Sequence, residues 1–315
     1  MKKKKYEISL VTPVYNEQEN LFLFRKEVEN IFKKMKIKNY QVIFCLDPST
    51  DNSEKIIEKF CKEKSNYCLL KTSRNFGQSA CTIAGINHSE GKYVIIMDCD
   101  LQDPPKLISK LYKKIKSGYD TVYAKREKRL GLNFLYKIIT SIGYKIINFS
   151  SDIQIPINVG DFRIISRRVV LQINKLRESN NFLRGLVPFV GFKNSYVNYV
   201  RHERKLGYSK YSKIFGSVKI GLNGLIGFSN FLINLIFYIG LIVFITSCFG
   251  IMFLFYNVFF DQNPYPVGIP SVMVLILFIG SVQLLSLSII GQYVGKIFEE
   301  TKDRPKYIID KKINL

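Results

Sequence analysis

Carboxylates follow directly on a run of apolar residues in the stretch 92–105, KYVIIMDCDLQDPP. The apolar part is short and β-branched, which predicts a buried strand rather than a helix. A strand buried on both faces belongs to a parallel sheet, and ligands bind beyond the carboxyl ends of such strands. Asp98 and Asp100 would lie at that edge, where a hard cation such as Mg²⁺ or Mn²⁺ would offset their charge. A solvated acidic turn is the alternative interpretation.

The elements around this stretch alternate between strand and helix. Further strands are predicted at 6–11, 40–46, 68–72 and 120–124, with helices between them ending near 35, 63, 88 and 116. This alternation predicts an α/β fold with an open, mostly parallel sheet and flanking helices. Polar residues in the loops after these strands would then collect at one edge of the sheet: Asn16 and Glu17, Asp47 and Asp51, Arg74 and Asn75, and Asp98 and Asp100.

The composition of the chain restricts its partners. Its 315 residues contain 47 Lys and Arg against 25 Asp and Glu, a formal charge of +22 that calls for an anionic partner or surface. Six cysteines show no CxxC pair, which favours free thiols in a reducing compartment over disulfides or a zinc site. We predict no signal peptide at the amino terminus. His88 and His202 have no partners at metal-ligand spacing.

Two long segments carry no charge. They lie between Lys219 and Asp261 and between Asp261 and Lys296, and each exceeds the roughly 20 residues that a bilayer requires. We predict two transmembrane helices at about 231–255 and 269–293. The loop between them contains no Lys or Arg, so the positive-inside rule places both termini in the cytoplasm. A soluble helical hairpin is the alternative.

Two further segments combine apolar residues with lysines. Residues 130–149 and 213–228 are predicted to be amphipathic helices in the membrane interface, although buried core helices are the alternative. The predicted organisation is a cytoplasmic catalytic domain at 1–227, a transmembrane hairpin at 228–295 and a basic cytoplasmic tail at 296–315, which suits an anionic leaflet. The predicted location is the inner membrane.

The motifs of the chain occur in the order of a known family. They are Thr12-Pro13-Val14-Tyr15-Asn16-Glu17, Asp47-Pro48-Ser49-Thr50-Asp51, Arg74-Asn75-Phe76-Gly77, Asp98-Cys99-Asp100-Leu101-Gln102-Asp103, Gly160-Asp161-Phe162-Arg163, Phe182-Leu183-Arg184-Gly185-Leu186 and Gly207-Tyr208-Ser209-Lys210-Tyr211. This order resembles the family 2 glycosyltransferases with the GT-A fold. The second half, with its two apolar segments, resembles the polyprenyl-phosphate glycosyltransferases, such as dolichyl-phosphate mannose synthase and the undecaprenyl-phosphate glucosyltransferases.

The resemblance implies a site for a nucleotide-sugar donor and a divalent metal. The implied metal ligands are Asp98, Asp100 and Gln102, holding Mg²⁺ or Mn²⁺. The implied donor-binding residues are Pro13, Tyr15, Glu17, Asp47, Asp51, Arg74, Asn75, Gln78 and Asp98. A helix amino-terminal charge is the alternative for Glu17, and an N-cap for Asp51. The usual Asp-Asp-Gly-Ser motif is here Leu46-Asp47-Pro48-Ser49, so the first carboxylate of the pair, which the resemblance places near the donor base or ribose, is absent, while Asp47 and Asp51 remain.

A second set of residues suits an acceptor phosphate. Cations must bring two anions together, and arginine forks bind phosphate well. The candidates are Arg126, Arg129, Arg201, Arg204, Ser209 and Lys210, and the predicted catalytic residues are Asp100, Arg126, Asp161 and Arg163. Arg129 could instead be a solvated or lipid-facing charge, and Arg163 could hold Asp161 in a structural pair.

These observations lead to one main hypothesis and two alternatives. The main hypothesis is a metal-dependent, inverting transfer of one sugar from a nucleotide donor to a polyprenyl phosphate at the cytoplasmic membrane face. UDP-glucose is the predicted donor, with GDP-mannose, UDP-GlcNAc and an aminopentose donor left open. A processive polysaccharide synthase is the first alternative, but the chain has no Trp for the usual Gln-x-x-Arg-Trp motif. The second is a non-catalytic basic protein that binds lipid or nucleic acid. We predict no nucleic-acid partner and leave a homo-oligomer open.

Overall fold

A computed structural model describes residues 6–127, 156, 158–176, 178, 183–201, 236, 238–242, 245, 249 and 269–315. Several predictions therefore fall outside the described residues. These are the interfacial helices at 130–149 and 213–228, most of the first transmembrane helix at 231–255, and Arg129, Arg204, Ser209 and Lys210.

Strands and helices alternate through the first half of the chain. The strands are β1 (Tyr6–Val14), β2 (Tyr40–Leu46), β3 (Tyr67–Thr72), β4 (Gly91–Ile96), β5 (Thr121–Arg126), β6 (Val159–Ser166), β7 (Asn194–Tyr199) and β8 (Ile309–Ile313). The helices are α1 (Gln18–Lys34), α2 (Ser53–Glu63), α3 (Gln78–His88), α4 (Leu107–Lys116), α5 (Arg167–Ile173), α6 (Leu183–Phe189) and α7 (Ile269–Thr301). The predicted α/β class is confirmed.

The described strands form one mixed sheet in the order β7-β5-β6-β4-β1-β2-β3-β8. The four central strands β4, β1, β2 and β3 are parallel, as predicted. Strand β6 runs antiparallel between β4 and β5, β7 pairs parallel with β5, and β8 pairs antiparallel with β3. The carboxyl ends of β1 to β4 therefore meet at one edge, where ligands of such sheets bind.

Helices cover both faces of the sheet. Helices α1, α2 and α4 pack on one face, where Phe24, Phe44 and Phe60 are completely buried. Helices α3, α5 and α6 pack on the other face around Val11 and Ile43. Helix α3 lies very close to the sheet, because a Cβ atom at Gly85 would collide with the side chains of β1 and β2.

Strand β1 is longer than predicted. We expected Thr12-Pro13 to end it at Val11, but it continues to Val14. Proline interrupts a sheet when its missing N–H is needed. Here the ladder is carried by carbonyls on either side of Pro13, since Met97 N–H donates to Val11 and Asp47 N–H donates to Val14, both at 3.1 Å. The extension carries the Thr12–Glu17 motif to the edge of the sheet.

Helix α7 corresponds to the second predicted transmembrane helix. Within the described residues, its part Phe278–Thr301 is the one helical stretch long and apolar enough to cross a membrane, by length and composition. Leu284 and Leu287 are 71% and 63% exposed, so these apolar side chains are not buried against the protein. A two-helix hairpin remains a prediction. The tail predicted at 296–315 ends in β8, a strand of the sheet that we did not predict.

Candidate active site

The two carboxylates of the DxD motif lie in the loop that follows β4. The loop is held by Gln102, whose N–H donates to Asp100 Oδ1 at 3.1 Å. Leu101 has φ of 57°, a left-handed conformation that is unusual for a bulky side chain. Such local strain persists only where the surrounding structure enforces it, and it is concentrated at functional sites. The backbone of the motif is therefore constrained at Leu101 and Gln102.

Asp98 lies in a strongly negative environment. Burial, together with the carboxylates of Asp161, Asp100 and Asp103, raises the pKa of Asp98 to about 7, and Arg201 opposes this shift. Gln78, the first residue of α3, donates from Nε2 to Asp98 Oδ1 at 2.8 Å. Excess negative charge at a strand end is the environment that a cation stabilises.

The raised pKa leads to a prediction about the metal-free protein. Between about pH 4 and 7 the folded state holds a proton on Asp98 that the unfolded chain releases, so stability falls as pH rises through this window. The Asp98→Asn variant lacks this dependence. In EDTA, we therefore expect the melting temperature of this variant to exceed that of the wild type by an amount that grows from pH 5 to pH 8. Adding Mn²⁺ should reduce this difference. Thermal denaturation at a series of pH values measures this, and a difference independent of pH would contradict it.

The residues of the loop fit a divalent metal that is shared with a substrate. Within the described part of the chain, no group of three or more His, Cys, Asp or Glu side chains is arranged to hold a metal ion. Where Mg²⁺ also binds substrate phosphates and water, a protein usually contributes one or two carboxylates. Asp98 and Asp100 offer the hard oxygen atoms that Mg²⁺ and Mn²⁺ prefer.

The loops after β1 and β2 hold each other. Asp51 accepts hydrogen bonds from Gln18 N–H at 3.0 Å and Ser53 N–H at 2.9 Å, so one carboxylate serves the first turns of both α1 and α2. Asn16, with φ of 52°, accepts from Thr50 N–H at 2.8 Å. Glu17 Oε2 accepts from Asn20 Nδ2 at 2.6 Å. Binding of a nucleotide-sugar donor by Glu17 and Asp51 remains a prediction, and both side chains have hydrogen-bond partners within the protein.

Asp47 organises the loop between β3 and α3. It is only 2% exposed and accepts from the Thr72 hydroxyl at 2.6 Å. It also accepts from the backbone N–H groups of Phe76 at 3.2 Å and Gly77 at 2.9 Å. Gly77 has φ of 90°, which favours glycine, and Gln78 follows it directly. Asp47 thus determines where α3 begins and where Gln78 meets Asp98.

The remaining predicted donor residues line the same edge with more exposed side chains. Tyr15 is 38% exposed, and Pro13 lies at the end of β1. Arg74 and Asn75 are exposed, with the Arg74 guanidinium 3.9 Å from the centre of the Phe76 ring. Their position at the carboxyl ends of parallel strands is where a nucleotide would bind. Their roles remain predictions.

A buried cluster of opposite charge lies next to the DxD loop. Asp103 is 2% exposed and accepts from the Tyr199 hydroxyl, which in turn accepts from Arg126 Nε at 3.1 Å. Arg126 Nη2 lies 3.8 Å and Arg201 Nε 3.3 Å from the Asp103 carboxylate. The Arg201 Nε atom is buried and donates no hydrogen bond to any described residue. One carboxylate therefore faces two guanidinium groups.

Asp161 has a different environment from Asp98. Arg184 donates to both of its oxygens, at 3.0 and 2.8 Å, and Arg163 lies 3.6 Å away. Burial alone would raise the pKa of Asp161, but Arg184, Arg163 and Arg126 hold this pKa well below its usual range. The Gly160 position allows this packing, because a Cβ atom there would collide with the Arg126 guanidinium. Asp161 is thus a permanent anion that orients arginines.

Arg163, a predicted catalytic residue, is completely buried. Its guanidinium donates to the carbonyl oxygens of Gly160 at 2.9 Å, Asp161 at 3.2 Å and Leu183 at 3.3 Å. These contacts join β6 to α6 behind the site. A catalytic role stays a prediction, and the contacts favour an indirect role through Asp161.

The contacts of Arg163 predict a large effect on stability. The Arg163→Met variant would leave buried carbonyls unpaired and remove a partner of Asp161. We expect it to lower the free energy of unfolding by about 2–4 kcal/mol. The matched control is Arg168→Met, since Arg168 is 66% exposed and its change should stay within about 0.5 kcal/mol. Denaturation in detergent measures both, and equal effects would contradict the expectation.

Sequence reasoning missed several residues of this site. Arg184 and Asp103 lie in motifs that were recognised, but neither was given a role. Tyr199 lies in a polar strand and has no sequence signal, because its partner Asp103 is 96 residues away. Thr72, which holds Asp47, was also missed.

The chain is similar to known glycosyltransferases along almost its whole length. The family model "Glycosyl transferase family 2" matches residues 9–173. The uncharacterized glycosyltransferase YkcC of Bacillus subtilis is 36% identical over 307 residues, which cover 98% of this chain and 94% of that protein. The bactoprenol glucosyl transferase of Shigella phage SfX is 39% identical over 305 residues, which cover 96% of this chain and 98% of that protein.

Similarity to solved structures is weaker. The glucosyl-3-phosphoglycerate synthase of Mycobacterium tuberculosis, in complex with Mn²⁺, UDP and glucosyl-3-phosphoglycerate, gives a TM-score of 0.45. It is 14% identical and the match covers 70% of this chain and 78% of that one. A score at this level adds nothing to the functional argument.

The family match contains the loops described above. Residues 9–173 run from β1 to the end of α5 and include Asp47, Gln78, the DxD motif and Asp161. The relatives extend the similarity over almost all of the remaining chain. The predicted resemblance is confirmed: the chain belongs to glycosyl transferase family 2 and is a glycosyltransferase.

Proposed function

We propose that this glycosyltransferase transfers a single sugar from a nucleotide-sugar donor to a polyprenyl phosphate at the cytoplasmic face of a membrane, with Mg²⁺ or Mn²⁺. The observation that carries the proposal is the position of the two charged clusters. The acidic DxD loop, which suits a metal and a diphosphate, lies beside the basic pair Arg126 and Arg201, which suits a second anion. A reaction between two phosphorylated substrates requires both.

The chemistry follows from the charges. A bound divalent cation would neutralise the diphosphate leaving group. A phosphate oxygen of the acceptor attacks the anomeric carbon, a new carbon–oxygen bond forms, and the bond from that carbon to the diphosphate breaks with inversion. The acceptor phosphate is already ionised near neutral pH, so the site needs no general base. Arg126 and Arg201 would hold it against the repulsion of the donor, and Asp161 would keep Arg184 in place.

The relatives support a polyprenyl acceptor and a glucosyl donor. Bactoprenol glucosyl transferases are among the proteins that match at 39% identity over 96% of this chain. These names support glucose as the sugar, and UDP-glucose is the donor that we propose. Other nucleotide sugars stay open, because Asp47 is occupied with Thr72 and Gly77 and the usual preceding carboxylate is Leu46.

The sheet supports the two-span topology. Strands β7, which ends at Tyr199, and β8, which begins at Ile309, belong to one sheet and must lie on the same side of the membrane. Helix α7 has 33 residues, about 50 Å, and leads into β8. If α7 crosses the bilayer, the chain between Tyr199 and α7 must cross it as well. The predicted helix at 231–255 would provide that crossing, and positions 238–242 within it are helical.

A transfer assay tests the proposal. Purified protein would be incubated with labelled UDP-glucose, UDP-GlcNAc and GDP-mannose, each with Mn²⁺ and undecaprenyl phosphate. We expect labelled lipid from UDP-glucose, dependent on metal and on the lipid phosphate. Transfer to water alone, extension of a growing polymer, or no labelled lipid with any donor would overturn it.

A further inference from the structure

The C-terminal strand β8 completes the sheet beside the loop that carries the predicted donor residues. Its pairing with β3 runs from Leu69 opposite Ile313 to Thr72 opposite Ile309. One more hydrogen bond follows at the end, from Ser73 N–H to the Ile308 carbonyl at 2.9 Å. The last twelve residues of the chain thus reach the first residue of the β3–α3 loop.

A short series of contacts connects this pairing to the metal motif. Thr72, the last residue of β3, donates to Asp47, and Asp47 accepts from the N–H of Gly77. Gln78 follows and donates to Asp98 at 2.8 Å. Movement of the end of β3 would therefore displace Gln78 and a carboxylate of the DxD motif. Partners outside the direct ligands of a metal change its affinity by about 10- to 100-fold.

The segment between α7 and β8 is also attached to the catalytic domain. Lys306 Nζ donates to the Leu176 carbonyl at 2.8 Å, after the end of α5. The Tyr307 hydroxyl accepts from Asn87 Nδ2 at 2.9 Å near the end of α3, and Tyr307 packs against the core on that face. At the far end of β8, Asn314 Nδ2 donates to the carbonyls of Cys61 and Tyr67, both at 2.8 Å. Contacts at both ends fix the register of the strand.

We propose that β8 is a positioning element of the donor site, which holds the β3–α3 loop and Gln78 in the geometry that donor and metal require. The donor assignment of this loop rests on the proposed function, but the coupling of β8 to the loop does not. Charged residues of β8 contribute to this attachment, since Lys311 pairs with Glu58 at 2.5 Å and Asp310 lies 3.7 Å from Lys71 of β3.

Two isoleucines of β8 offer a matched pair of variants. Ile309 lies opposite Thr72 at the loop, whereas Ile313 lies opposite Leu69 near the other end of β3, and both are half-buried. The Ile309→Ala and Ile313→Ala variants remove the same atoms from one strand. We expect Ile309→Ala to raise the Kd for UDP with Mn²⁺ and the donor KM about tenfold or more, with the acceptor KM unchanged. Ile313→Ala should change these constants less than twofold.

Hydrogen exchange gives a readout that does not depend on activity. The amides of residues 73–78 should exchange faster in Ile309→Ala than in Ile313→Ala, at equal melting temperature. Equal exchange of these amides, or equal nucleotide affinity in the two variants, would overturn the proposal. A wild type that binds UDP but transfers no sugar would refute only the proposed function.

Strand addition in trans provides a second test. A chain that ends at Lys302 lacks β8, and a synthetic peptide of residues 304–315 could pair with the exposed edge of β3, as extended peptides add to sheet edges. We expect the peptide, but not a scrambled one, to restore nucleotide affinity and slow exchange at residues 73–78. If the shortened protein folds and binds UDP with Mn²⁺ as tightly as the full chain, the proposal fails. If the shortened protein does not fold, the comparison of Ile309→Ala with Ile313→Ala tests the proposal.

Discussion

Replacing Asp98 by Asn is expected to reduce sugar transfer by at least about a thousandfold, and Asp100→Asn by a similar factor. A metal that binds the leaving diphosphate contributes several kcal/mol to the transition state, and each 1.4 kcal/mol is about tenfold in rate. Asparagine has nearly the shape of aspartate, so loss of a charged metal ligand is the main change. The rate of labelled lipid formation over a range of Mn²⁺ concentrations measures the effect.

The stability of the Asp98→Asn variant shows whether its loss of activity comes from the loss of a metal ligand or from damage to the fold. Because burial and the neighbouring carboxylates raise the pKa of Asp98, its charge destabilises the metal-free protein at neutral pH. Asp98→Asn should therefore be at least as stable as the wild type without metal, yet inactive. The control is Cys99→Ala, since Cys99 lies between the two carboxylates but is buried and faces the Pro13 carbonyl. An active Asp98→Asn protein, or an equal loss in Cys99→Ala, would contradict the metal assignment.

The central part of the fold was predictable because its strands carry their own signal. Strands β2 and β4 are apolar runs flanked by turn residues, and a strand covered on both faces needs such a run. Helix α2, which follows β2, has its buried apolar residues Ile57, Phe60 and Cys61 on one face. The order of strands along the sheet was not predicted, because β6 is inserted antiparallel between β4 and β5 from a distant part of the chain.

Strands β7 and β8 were missed for a physical reason. Their sequences, NSYVNY and IDKKI, contain few apolar residues, and their side chains are largely exposed or half-buried. Such strands form because a neighbouring edge offers its backbone groups, not because of local preference. Strand β8 pairs with β3, more than 230 residues earlier in the chain. No local pattern contains that information.

The site, too, contains residues with a local sequence signal and residues that are brought together only by the fold. The DxD loop could be found from a motif because its residues are adjacent in the chain. The Asp103 cluster could not, because Arg126, Tyr199 and Arg201 come from two further places and meet only in the folded sheet. Arg126 and Arg201 were predicted from charge and position, but their shared carboxylate was not. That carboxylate explains how two arginines can stay close together before an acceptor arrives.

Arg201→Ala is expected to raise the KM for polyprenyl phosphate about 10- to 100-fold, with little change in the donor KM. A charge-assisted hydrogen bond to phosphate contributes about 1.5–3 kcal/mol. The Arg201 Nε atom is buried 3.3 Å from Asp103 and donates no hydrogen bond to a described residue. The guanidinium is therefore positioned by Asp103, and its Nε–H group can still donate to a phosphate. Arg201→Lys keeps the charge but loses the fork, and should recover only part of the affinity.

Donor and acceptor constants, measured together, decide which substrate this arginine serves. Arg168→Ala is the control, because it removes an arginine that is 66% exposed and lies on α5 beside Phe192. Its acceptor KM should equal that of the wild type. An increased donor KM with an unchanged acceptor KM in Arg201→Ala would assign the arginine to the diphosphate. Arg201 and Arg126 share Asp103 as an ion-pair partner and are expected to bind the same phosphate. The effects of the two alanine substitutions on the acceptor KM should therefore be non-additive.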